Sequence, residues 1–180
     1  MRGSTGGDMG DISFPLCFAF QVNTLTEFTN IECESTDKDF SNFEYCRLKS
    51  ANRTYKYISV KLNLFKVPVT NVKINVALYK RLNGYKPFLY NITLDACRFY
   101  KNQNSNPVAL FFYNFFKEQS NMNHSCPYNH DIVVDKISTE FVNHRMTNVL
   151  PFPEGRYMLK MQWMVYDITR VVFKVYVTFS

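Results

Sequence analysis

Three side chains able to ligate a metal or relay a proton fall within seven positions of this sequence, His124, Cys126 and His130, with Asp131 beside the last. The pattern His-x-Cys-x3-His is not a recognised zinc spacing, and Asn123 competes for the same segment as a glycan acceptor. A nucleophile built on Cys126, with His130 and Asp131 behind it, needs a free sulfur, because the thiolate is the attacking species. A disulfide at Cys126 removes it. The chain has no GxSxG, no HExxH and no glycine-rich phosphate loop, with six glycines in all. His144 next to Arg145 reads as an exposed loop residue. These residues imply a non-catalytic protein with no cofactor and no metal.

The cysteines point instead to a covalent frame. There are five, and if Cys17 belongs to a removed leader, Cys33, Cys46, Cys97 and Cys126 form an even set suited to two bridges. Cys97 precedes and Cys126 follows the aromatic stretch VALFFYNFF, so a bridge between them would pin that stretch to the rest of the fold. Cys33 with Cys46 would then span the first hairpin. Asn52-Arg53-Thr54, Asn91-Ile92-Thr93 and Asn123-His124-Ser125 fit the acceptor pattern for N-glycosylation, which operates on secreted or surface chains. Secretion is the expectation. Residues 1–24 read as an atypical signal peptide or a mis-assigned leader: ISFPLCFAF supplies an apolar core, but Arg2 is offset by Asp8 and Asp11 and no clean cleavage site follows. No apolar run approaches the ~20 residues of a transmembrane helix.

Which elements would carry these residues? The chain has 180 residues, the size of one domain, with 17 Phe and 12 Tyr against 13 Gly plus Pro (6 + 7), a composition that favours strands. The domain is expected over 25–180. TYKYISVKLNLF alternates, with Ile58, Val60, Leu62 and Leu64 on one face. Val72, Ile74, Val76 and Leu78 repeat the pattern, and PFLYNITLD turns Asn91 away from Phe88, Tyr90, Ile92 and Leu94. Tyr157 to Val165 and Val171 to Phe179 make a closing hairpin, with the turn at Asp167 to Arg170. Short alternating strands with hairpin-like links predict an all-β, antiparallel, immunoglobulin-like β-sandwich.

One short amphipathic helix is expected at about 107–119. Asn106 can cap it, Pro107 suits its first position, and Val108, Phe111, Phe112, Phe115 and Phe116 recur at spacings of three and four. The four phenylalanines either complete the core or cover the mouth of an apolar cavity between the sheets, lined also by Tyr157, Met161 and Trp163. The two readings differ only in whether a void remains.

Between Arg47 and Lys86 lie ten basic residues and no acid, while the remainder holds 11 basic and 15 acidic residues. A stretch of this kind would make one sheet face cationic, either a merely solvated lysine face or a surface for a receptor, an acidic glycan or an anionic head group. Nucleic acid is not expected, because the aromatics lie on inward faces instead of interleaving with the lysines.

The segments CESTDKDFSNFEYC, TYKYISVKL, NGYKPFLYNITLDAC, NMNHSCPYNHDI and PFPEGRYMLKM resemble a large insect family of secreted, mostly uncharacterised proteins, over residues 27–179. Some relatives of that family are implicated in contact chemosensation. Through Cys126-Pro127-Tyr128 and, downstream, Pro153-Glu154-Gly155-Arg156-Tyr157, it is more distantly similar to the ML lipid-recognition domains and the ganglioside activator, β-sandwiches that hold a lipid between two sheets. VFKVYVTFS lacks the cysteine such domains commonly carry near the last strand, so that disulfide is not expected here. The resemblance implies a binding protein for a lipid-like or hydrocarbon ligand. From a different class, the alternative is an extracellular interaction domain with a solid core and a basic face.

Overall fold

Period-two alternation produces, among the described residues, eight antiparallel strands: β1 (Thr26–Ser35), β2 (Ser41–Ser50), β3 (Lys56–Leu64), β4 (Val72–Leu82), β5 (Gly84–Asp95), β6 (Ile132–Ser138), β7 (Gly155–Val165) and β8 (Ile168–Phe179). The computed structural model describes residues 25–52, 55–146 and 152–180, so the leader expected at 1–24 lies outside the described residues. Five strands form one sheet in the order β1-β8-β7-β4-β5, and three form the other in the order β2-β3-β6. The architecture is an antiparallel β-sandwich. Its core holds Ile58, Val60 and Leu62 from the small sheet against Leu78, Tyr157 and Phe173 from the large one.

Three strands cannot cover five. The inner face of β4 and β5 would stay wet but for the chain between β5 and β6, which folds as α1 (Ala96–Lys101), the 3-10 turn Gln103–Ser105, α2 (Pro107–Tyr113) and the 3-10 turn Lys117–Gln119. The sequence led to one helix at about 107–119; the observed α2 is shorter, and α1 and α3 (Thr139–Met146) are additional. Local chemistry explains the starts. Asp95 Oδ1 accepts from Arg98 N at 2.9 Å to cap α1, and Asn106 Oδ1 accepts from Ala109 N at 3.0 Å to cap α2, with Pro107 in its first turn. Phe99, Ala109 and Tyr113 are buried together against Ile92 and Leu94 of β5. Tyr90 meets Phe112 edge-on at 5.8 Å, and the Tyr113 hydroxyl donates to Met122 O at 2.9 Å. The helical segment therefore does the work of missing strands.

Two connections differ from the sequence reading. β1 pairs with β8 and β2 with β3, so β1 and β2 are not a hairpin and Cys33–Cys46 links the two sheets. The closing hairpin turns on Tyr166 and Asp167, with φ of 52° and 63°, because Val165 pairs directly with Ile168. Positive φ at both central residues is the type I′ geometry, one of the two whose twist matches that of the flanking strands. No glycine or asparagine marks that turn in the sequence, and it falls at Tyr166–Asp167, ahead of the expected Asp167 to Arg170.

Cys97 is bonded to Cys126, closing the helical segment into a loop with a sequence separation of 29. Chain-entropy arithmetic for a loop of that length gives about 3–4 kcal/mol. The double substitution Cys97→Ala with Cys126→Ala is expected to lower unfolding free energy by roughly that amount, measured by denaturant titration. A loss well under 1 kcal/mol would contradict a pinning role.

Candidate functional site

Between the two sheets and the helical segment lies a cavity of ≈160 Å³. Every layer contributes to its wall. Ile58, Val60, Ile132, Val134 and Ile137 come from the small sheet; Leu78, Leu159, Met161, Trp163, Phe173, Val175, Val177 and Phe179 from the large one; Phe111, Phe112, Phe115, Phe116 and Met122 from the helical segment. Thr26, Phe28 and Ile31 of β1, Val142 and Met146 of α3, and Phe152 complete it. Its surface is wholly apolar. Two buried atoms of wall residues, Thr26 Oγ1 and Trp163 Nε1, have no hydrogen-bond partner, but neither reaches the cavity surface. Orphans of this kind cost roughly 1–3 kcal/mol each. Among the described residues no polar atom faces the cavity, so its wall offers dispersion contacts and no hydrogen bond.

The void is small. An engineered apolar cavity of about 150 Å³ stays dry and takes a benzene, whereas pockets for drug-sized ligands span roughly 300–1,000 Å³. A second space of ≈40 Å³ adjoins it, sharing Met122, Ile132 and Trp163 and extending to Tyr100, Tyr128 and Phe40. Burial raises the phenol of Tyr100 well above the ordinary tyrosine value and pushes Tyr128 up to about 12, again chiefly by burial.

Six of the seven aromatic and methionine positions singled out from the sequence, Phe111, Phe112, Phe115, Phe116, Met161 and Trp163, meet at the cavity. Tyr157 does not. It is fully buried, its hydroxyl donates to Pro153 O at 2.6 Å, and its ring lies among Phe88, Phe152 and Phe179, where a late-strand residue closes the end of the core. Sequence reading passed over β6, α3 and Phe152. Glu140 in the first turn of TEFVNHRM and His144 and Arg145 in the last, with Val142 and Met146 four apart, were the available signals for α3. His144 is accordingly an exposed residue of a helix and not of a loop.

Phe111 and Phe115 have a second exposure. Their rings meet edge-on at 5.0 Å, and besides facing the cavity they line an outer groove of ≈430 Å³ with Asn114, Glu118, Phe141, His144 and Arg145. They are thus the partition between interior and surface. Arg145 is ion-paired with Glu118, its guanidinium lies 4.7 Å over the Phe141 ring, and its Nε has no acceptor.

The histidine–cysteine cluster is otherwise employed. His124 Nε2 and His130 Nε2 are 2.8 Å apart, sharing a hydrogen bond, and Cys126 is tied up with Cys97. Among the described residues no group of three or more His, Cys, Asp or Glu could hold a metal ion.

The basic stretch does not form one face. Arg47, Lys49, Lys56 and Lys61 lie on β2 and β3, whereas Lys73, Lys80, Arg81 and Lys86 lie on β4 and β5 of the opposite sheet. Acids from outside the stretch pair with three of them: Glu27 with Lys56, Glu44 with Lys61 at 2.6 Å and Asp167 with Lys73 at 2.5 Å. Sequence-local charge is divided by the sandwich topology. Of the acceptor asparagines, Asn52, Asn91 and Asn123 are all exposed. Asn91 Oδ1 and Thr93 Oγ1 both accept from Asn75 Nδ2, at 2.9 and 3.0 Å.

A family model described as "Protein of unknown function (DUF1091)" matches residues 74–159, less than half of the chain. No curated protein matches the sequence. The chain is similar to the crystal structure of a Niemann-Pick type C2 protein from Japanese carpenter ant, with 15% identity, 84% of this chain and 90% of that chain covered, and a TM-score of 0.32. No helix among the described residues is long and apolar enough to cross a membrane.

A phenol whose pKa is raised on folding stabilises the fold fully below its unfolded value, about 10, and loses that contribution as pH rises through the folded value. Tyrosinate absorbance is therefore expected to show a late-ionising class that appears near pH 12, together with loss of near-ultraviolet circular dichroism. Complete ionisation near pH 10 with the fold intact would contradict the packing around Tyr100 and Tyr128.

Proposed function

We propose that this chain is a secreted, non-catalytic binding protein that takes a hydrocarbon or the apolar part of a lipid-like molecule into the cavity between its sheets. One observation carries the reading: an apolar void bounded by all layers of the fold, next to a surface groove that shares the Phe111 and Phe115 rings with it. A void of this kind loses dispersion contacts on every side, and a guest restores them. Its volume favours an alkyl chain or single ring over a sterol-sized body unless the partition swings aside. Joined through that partition, cavity and groove together fall within the range usual for ligand pockets.

Two disulfides and three exposed acceptor asparagines support an extracellular setting. A cleaved leader before Leu25 fits the same setting. The resemblance carried by the cysteine-framed segments favours delivery of apolar chemical signals, in contact chemosensation, as the role of such a carrier. An interaction domain with a solid core and a basic face receives less support, because the core has a void and the basic stretch is split between sheets.

Native mass spectrometry of the protein secreted from eukaryotic cells is expected to show an added mass that organic extraction removes. Val134→Phe, which places a ring in the cavity, should weaken hydrocarbon binding more than about tenfold while changing stability by no more than roughly 1–2 kcal/mol. Only unliganded protein, with added hydrocarbon ignored by both variants, would refute the proposal.

A further inference from the structure

We infer that the guest is an unbranched alkyl chain whose length the interior measures. Met122 and Met161 turn aside to let its far end pass from the main cavity into two smaller spaces beneath the helical segment. This rests on the hydrocarbon-binding reading above and adds to it the shape of the guest and the residues that limit its length.

The main cavity does not stand alone. Besides the space of ≈40 Å³ that shares Met122, Ile132 and Trp163 with it, a third space of ≈30 Å³ shares Phe112, Phe116 and Met161 with it. The two smaller spaces also have Ile74, Ala96 and Tyr100 in common, so all three adjoin one another. Each exceeds the roughly 10–15 Å³ that one water-sized group needs, enough for about one or two methylenes. Their surfaces are apolar or nearly so. Water finds no partners there, whereas a methylene restores the dispersion contacts that the walls lack.

The shared walls decide which guest can use these spaces. Ring contacts hold most of them: Phe112 lies edge-on to Tyr90 at 5.8 Å, Phe116 edge-on to Tyr113 at 5.4 Å, and Trp163 is 5.1 Å from Phe173. Ile132 is branched at Cβ and stiff at χ1. Met122 and Met161 are the exceptions, unbranched side chains with three rotatable bonds each. The Met122 carbonyl is fixed by the Tyr113 hydroxyl at 2.9 Å, which leaves the thioether arm to move. Turning one thioether aside opens a passage no wider than a methylene chain. A linear chain passes it; a branch or a ring does not. Tyr100, in the wall of both smaller spaces and packed against Phe99 at 5.6 Å and Tyr113 at 5.2 Å, is the far stop.

The test titrates the protein with n-alkanes from hexane to dodecane and with isooctane. The reporter is the fluorescence of Trp163, the single tryptophan, which lines the main cavity and the ≈40 Å³ space. A main cavity of this volume holds about one benzene, so with its walls closed it would stop rewarding chain length near hexane. Wild-type protein is expected instead to gain about three- to fourfold in affinity for each methylene from hexane to about decane. It should bind n-octane more than about tenfold more tightly than isooctane. The double substitution Met122→Ile with Met161→Ile, which keeps the wall apolar but stiffens it, should halt the gain near hexane and change hexane binding itself by less than about threefold. Affinity that levels off near hexane in wild type, isooctane bound as tightly as n-octane, or a chain-length gain that the double variant retains overturns the inference and leaves the cavity reading standing. No binding of any alkane, by Trp163 fluorescence and by headspace depletion, removes the cavity reading and the inference with it.

Discussion

The constraint on which this structure depends is a mismatch of area: a five-stranded sheet with an apolar inner face is opposed by a sheet of only three strands. Uncovered, the inner face of β4 and β5 would expose Ile74, Val76, Ile92 and Leu94 to water, at about 25 cal/mol for each Å². The chain covers it with a helical segment whose covering residues are mostly aromatic rings, and a disulfide ties the two ends of that segment together. Large rigid rings reach far from a short helix, so few residues cover much area. They also tile poorly where three layers meet. The cavity lies at that junction, among small-sheet aliphatics, large-sheet residues and the ends of the phenylalanine stripe.

This geometry resolves the two roles open to the phenylalanines. Phe112 packs against Tyr90 of β5 and also reaches the cavity wall, while Phe111 and Phe115 line both the void and the groove. A chain that only needed a solid core would gain by filling the void with larger aliphatic groups. The space stays open where small-sheet aliphatics, large-sheet residues and the phenylalanine stripe meet.

Much of the fold was legible because the relevant signals are local. Alternation in TYKYISVKL and its neighbours marked the strands, Asn106-Pro107 marked the start of α2, and the positions of Cys97 and Cys126 around the aromatic stretch marked the bridge that the structure contains. What escaped was pairing at a distance. Nothing between Ser35 and Ser41 says that the chain changes sheets, and the Tyr166–Asp167 turn lacks the glycine that would announce it. The same limit explains the basic stretch, continuous in sequence but divided between sheets, and the Glu118–Arg145 pair, joined by folding across 27 positions. Tyr157 shares its strand face with the wall residues Leu159, Met161 and Trp163, yet its place at the end of the core removes it from the wall. Alternation assigns a face but not a depth.

Xenon gives the most direct check on the claim that the layers leave room for a guest, because apolar cavities of this volume take it up without any chemical recognition. Under xenon pressure, a crystal of the protein is expected to show a single ordered atom between Phe111, Met161, Trp163 and Val134. An interior with no xenon site, its rings closed on one another, would contradict the account.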